Sequence, residues 1–74
     1  MTNKEILSGQ QREVFEYIKA FLRAQGRTPT GKEIGTAINR SGRMARYVLD
    51  RLVEKGYIER EKGFPFSIRI MKKN

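Results

Sequence analysis

Apolar positions along the chain follow two periods in turn. Val14, Phe15, Ile18, Phe21 and Leu22 recur at spacings of three and four. They form one wide apolar stripe, and the stripe predicts a helix over 9–25. Ser8 is placed to cap it, and Gly26 to end it in the left-handed conformation. Residues 1–7 read as a loose arm. Pro29 biases Thr28 to extended backbone. Thr30-Gly31-Lys32-Glu33 then has the form of a capping box. A second helix is expected over 31–38, with Ile34, Ala37 and Ile38 facing inward and Asn39 closing it.

Ser41 caps a third predicted helix over 42–55, which Gly56 ends. At about 100° per residue, Ala45, Val48, Leu49 and Leu52 share one side of that helix. Arg43, Arg46, Tyr47, Asp50 and Glu54 share the other, with Met44 and Val53 on the flanks. After Gly56 the period drops to two. Residues 57–61 read as a strand, Lys62-Gly63-Phe64-Pro65 as a turn, and Phe66, Ile68 and Ile70 alternate with Ser67, Arg69 and Met71. The sum is a single domain over 1–74 that is mainly α with a small β-hairpin over 57–71, an α+β arrangement. Two helices joined by a short turn form a helix-turn-helix. Three helices followed by a hairpin give the winged form.

Charge changes this picture from a fold to a surface. The 74 residues carry 16 Lys+Arg against 8 Asp+Glu, a net charge of +8. Residues 1–26 hold four basic and three acidic residues, and 27–74 hold twelve and five. A basic excess on one part of a small domain suggests a polyanionic partner.

The chain has no Cys and no His. Disulfides and thiolate sites are therefore excluded, and the commonest general base and metal ligand are missing. An enzyme is not expected, and neither are a catalytic residue, a metal site, a cofactor or a small-molecule ligand. No apolar run approaches the roughly 18 residues needed to span a bilayer, so no membrane partner and a cytoplasmic location are expected.

The third helix is where chemistry concentrates. The major groove of DNA admits an α-helix, and the arginine fork pairs with the two acceptors of guanine. The N-terminal part of the second helix in a helix-turn-helix reaches base edges. Arg43 and Arg46 lie one turn apart on the exposed side, and Tyr47 adds a hydroxyl and a ring. Met44 can touch a thymine methyl or belong to the rim of the core. Ser41 and the first amides of the helix can take a phosphate. Asp50 and Glu54 come where a helix would leave the groove.

Further backbone phosphate contacts are expected from Thr28, Thr30 and Lys32 at the second helix, from Arg40 in the turn, and from Arg60, Lys62, Gly63 and Arg69 in the wing. Solvated charges on an ordinary hairpin are the plainer reading of the wing. Phe64 and Phe66 suit the core better than base stacking. The partner expected is double-stranded DNA, met by a dimer or on a tandem site because one module binds weakly. A protein-interaction module and a non-specific nucleic-acid binder remain as alternatives.

The chain resembles the N-terminal DNA-binding domain of the LexA repressor family from Ser8 to about Ile70. The stretches that carry the likeness are Gln11-Arg12-Glu13-Val14-Phe15 with Ile18, Gly26 through Pro29-Thr30, and Glu33-Ile34. They continue with Ser41, Ala45, Leu49, Leu52, Lys55-Gly56, Ile58-Glu59 and Ile68-Arg69. The resemblance implies a transcriptional repressor of prokaryotic, phage or plasmid origin. It places DNA contacts on Ser41, Arg43, Met44, Arg46 and Tyr47.

The identities at those positions depart from the family's best-known member. That member is acidic where Arg46 and Tyr47 stand and has asparagine where Arg43 stands, which implies a different operator. The turn before Ser41 is one residue shorter and lacks the usual glycine, so a changed angle of entry into the groove is expected. LexA-like repressors also carry a self-cleaving, dimerising peptidase domain. The residues here stop after the wing, as expected for a stand-alone regulator or for a fragment of a longer protein.

Overall fold

The computed structural model describes residues 7–61 and 67–71. Three helices come first, α1 (Gly9–Gln25), α2 (Gly31–Ala37) and α3 (Gly42–Glu54). Two strands follow, β1 (Ile58–Glu61) and β2 (Ser67–Ile70). They form a mainly helical winged helix-turn-helix with a small antiparallel wing.

Each helix begins on a side-chain cap. The Ser8 hydroxyl accepts the Gln11 N–H, and Gln11 Oε1 accepts the Ser8 N–H, both at 3.2 Å. Thr30 Oγ1 accepts the Glu33 N–H at 3.0 Å, and Glu33 Oε1 accepts the Thr30 N–H at 2.8 Å. Ser41 Oγ accepts the Met44 N–H at 3.1 Å. Each bond satisfies an amide that the helix itself leaves unpaired. The expected box at Thr30 is present, and Gln11 builds a second one that the sequence reading passed over.

Helix ends depart slightly from expectation. α2 and α3 each stop one residue earlier, with Ile38 and Lys55 as caps. Gly26 and Gly56 take positive φ, 71° and 82°, and Asn39 takes 60°. Asn tolerates this conformation better than most side chains.

The core draws on every element. Val14 and Ile18 of α1 meet Ile34 and the α2 cap Ile38. Ala45, Val48, Leu49 and Leu52 of α3 and Ile58 and Ile68 of the strands complete it. Two expectations are corrected here. Ala37 does not face inward but is exposed, because the short α2 turns only Ile34 and Gly35 into the core. Leu7 is not part of a loose arm but is half-buried against the core.

The wing is tied to the helices from both sides. The Tyr57 N–H donates to the Leu52 carbonyl at 3.0 Å, and the Met71 N–H to the Tyr57 carbonyl at 2.9 Å. On the other strand, the Ile68 N–H donates to Thr28 Oγ1 at 3.1 Å. Phe15 packs edge-on against Tyr57, ring centroids 5.2 Å apart. Lys55 Nζ donates to Gln11 Oε1 at 2.6 Å, which joins the end of α3 to the start of α1.

Candidate nucleic-acid interface

The sequence of α3 divides the helix into two faces. Ala45, Val48, Leu49 and Leu52 are buried. Arg43, Met44, Arg46, Tyr47 and Asp50 are exposed, with Tyr47 retaining 56% of its surface and Met44 37%. Met44 therefore belongs to the flank of the outward face. Every residue proposed from sequence to touch bases lies on this side or at its N-cap.

The turn before α3 brings further cations alongside. The carbonyls of Ile34, Gly35 and Thr36 accept the N–H groups of Ile38, Arg40 and Asn39 at 3.1, 2.8 and 3.1 Å. These bonds satisfy the end of α2 and fold the chain back at once. Gly35 makes the fold-back fit. A Cβ on it would stand 2.8 Å from the Arg40 carbonyl oxygen and 2.9 Å from that of Ser41.

The outcome is a cleft of about 490 Å³ between α2, α3 and β1. Lys32, Arg40, Arg46 and Arg60 line it, and none of its described lining residues is acidic. Among the described residues, Lys32, Arg40, Arg43 and Arg46 make no salt bridge to a carboxylate. Three of the cations that line it, Lys32, Arg40 and Arg46, have no described counter-charge, which raises the local potential and favours an anion. Ser41 has accepted the Met44 N–H and keeps its own proton to donate.

The remaining expected phosphate contacts have internal partners. Thr28 is half-buried and holds β2 by its hydroxyl. Thr30 is committed to the Glu33 capping box. Arg60 Nη1 donates to Asp50 Oδ1 at 2.6 Å. Arg69 bonds Glu61 and lies 3.9 Å from Glu59. Lys62, Gly63, Phe64 and Phe66 lie outside the described residues.

Register explains why the two wing arginines differ. Ile58 pairs with Ile70 and Arg60 with Ile68, while Glu59 pairs with Arg69 and Glu61 with Ser67. Directly opposed residues share a face, and the faces alternate along a strand. Ile58 and Ile68 are buried, so Arg60 rides on the face turned towards the helices. Arg69 rides on the outer face, between two carboxylates.

Sequence reading missed two members of this region. Gly35 carried a signal, a glycine inside a helical pattern, which often marks a close approach. The Asp50–Arg60 pair carried none, because the two residues meet only once the wing folds onto α3.

Arg27 and Glu33 brace the helix-turn-helix from outside. Two guanidinium nitrogens of Arg27 contact the Glu33 carboxylate at 3.2 and 3.0 Å. The Arg27 bonds, then the Thr30 backbone N–H, hold the Glu33 carboxyl down at a pKa of about 2. No described helix is long and apolar enough to cross a membrane.

Residues 4–72 match the family model of the LexA DNA-binding domain. The LexA repressor of Halalkalibacterium halodurans is 39% identical over 66 residues, covering 88% of this chain and 32% of that protein. The LexA repressor of Staphylococcus epidermidis is 38% identical with the same coverage. That of Thermotoga neapolitana is 36% identical over 66 residues, covering 89% of this chain and 34% of the relative. The chain thus spans about a third of the length of these curated relatives.

Proposed function

The chain belongs to the LexA DNA-binding domain family, and from that premise we propose that it binds double-stranded DNA sequence-specifically as the reading module of a transcriptional repressor. The observation that carries the reading is the cleft lined by Lys32, Arg40 and Arg46, with no acidic residue among its described lining, beside the exposed Arg43. In the proposed complex α3 enters the major groove. Arg43 and Arg46 pair with guanine acceptors, Tyr47 and Met44 supply apolar contact, and Ser41 donates at the helix start.

Lys32 and Arg40 take the flanking phosphates. Thr28, Thr30, Arg60 and Arg69 contribute less than the sequence assigns them, since each already has a partner within the domain. Lys62 and Gly63 are retained as proposed phosphate contacts. The relatives' name supports repression, and the bacterial cytoplasm is the proposed setting. One module of this size buries about 600–1,000 Å² on DNA, so two copies on paired half-sites are proposed for tight binding.

Selection from a random duplex library at about 50 mM salt, followed by salt titration, tests this. A recurrent motif is expected, with a log–log salt slope of several units. Absence of binding overturns the proposal. Equal affinity for all sequences supports a non-specific binder instead, and preference for duplex RNA excludes a helix in the major groove.

A further inference from the structure

Tyr47 is the aromatic residue of α3, and it keeps 56% of its surface. A side chain this exposed ordinarily moves among rotamers on a fast timescale. A moving ring is a poor reader of bases, because ordering it on binding costs affinity. In this domain the ring is not left to itself.

Arg51 follows Tyr47 by four residues, one turn along the same helix. Helix side chains lean towards the N-terminus. The lean carries the Arg51 guanidinium over the Tyr47 ring, its Cζ 5.5 Å from the ring centroid. That lies within reach of a cation–π contact. Glu54 pairs with the same guanidinium at Nη2. Arg51 Nε is buried and has no hydrogen-bond partner among the described residues. A stacked guanidinium uses its flat face and spends none of its donors. The ring contact and the Glu54 pair therefore coexist. Accessible contacts of both kinds add little to folding. Their joint effect is on where the ring stands.

Tyr47 lies beside Arg46 and one turn after Arg43, on the side proposed to enter the major groove. Thymine presents its C5-methyl there, an apolar group among donors and acceptors. We propose that Arg51 is a positioning residue for specificity, which holds the Tyr47 ring on the outward side of α3 so that the ring reads a thymine methyl. This rests on the DNA-binding reading above. It requires no contact between Arg51 and DNA.

The test replaces each thymine of a selected duplex in turn by deoxyuridine, which lacks only the methyl. Affinity and its salt dependence are measured for the unaltered chain, Y47A, Y47F, R51Q and R51K. Folding is checked by circular dichroism and thermal melting, and R51M is a second neutral variant to be read in place of R51Q if that protein does not fold.

At one position, removal of the methyl is expected to weaken the unaltered chain about fourfold. Y47F keeps the ring and should keep this discrimination, and Y47A should lose it. R51Q should reduce it to about twofold or less. R51K retains a cation beside the ring and should discriminate better than R51Q. An Arg51 that acted through its charge alone would weaken both duplexes alike and carry about one unit of the salt slope. Full methyl discrimination in R51Q therefore overturns the proposal. Sequence-specific binding in which no thymine methyl depends on Tyr47 overturns it alone. Failure of the unaltered chain to bind any duplex overturns the DNA-binding reading together with this one.

Discussion

The Gly35 carbonyl accepts the Arg40 N–H at 2.8 Å, and a Cβ on Gly35 would stand 2.8 Å from the Arg40 carbonyl oxygen. The two backbones therefore touch at the point where α2 hands over to the turn before α3. In an ordinary helix interior, replacing glycine by alanine gains about 0.5–1 kcal/mol. Here the sign is expected to invert. Gly35→Ala should cost about 1–3 kcal/mol in urea unfolding, because the added methyl meets backbone rather than a yielding side chain. Gly31→Ala has open space around it and should be neutral or stabilising.

Thr28 is expected to act on the wing. Its hydroxyl accepts the Ile68 N–H from the facing strand. Thr28→Val keeps the shape and removes the acceptor, leaving a part-buried amide unpaired. A cost of about 1–2 kcal/mol is expected. Hydrogen exchange at the Ile68 amide should accelerate more than at the Leu52 amide in α3. Unchanged exchange at Ile68 would show that the bond does not hold the strand.

These two residues mark where sequence reading ran out. The three helices, their caps and the two-faced α3 follow from local signals: apolar spacing, Ser8, Thr30 and Ser41 before helices, Gly26 and Gly56 after them. The exposed side of α3 was equally legible, since it is the complement of a core stripe. What was not legible depends on meetings across the fold. Thr28 looked like a surface hydroxyl until Ile68, forty residues on, was paired with it. Arg60 and Arg69 looked alike until the register put them on opposite faces of the hairpin. Ala37 has the apolar spacing of an inward residue, but the buried side of α2 is centred on Ile34, Gly35 and the cap Ile38, which leaves Ala37 off it.

Acid should weaken the brace between Arg27 and Glu33. The Glu33 pKa is depressed to about 2, chiefly by the Arg27 hydrogen bonds. A depressed carboxyl binds protons more readily in the unfolded chain. Its stabilisation is therefore complete above about pH 4.5 and is lost as pH falls towards 2. Glu33→Gln retains an acceptor for the Thr30 N–H and lacks the charge. It should be less stable than the unaltered chain at pH 7, by a gap that closes between those two pH values. A gap that stays constant across this range would show that the charge on Glu33 contributes nothing. Added salt should narrow the gap at pH 7 as well, since the pair is exposed.

The claim that matters most is that the exposed side of α3 meets DNA. Charge reversal at both arginines, Arg43→Glu with Arg46→Glu, tests it most directly. Neither side chain contributes to the core, so the doubly altered protein should retain its helical spectrum and its melting transition. Its affinity for a selected duplex, measured by fluorescence anisotropy at about 50 mM salt, is predicted to fall below detection. A folded double variant that binds that duplex as tightly as the unaltered chain would contradict the account and move the DNA-binding surface off α3.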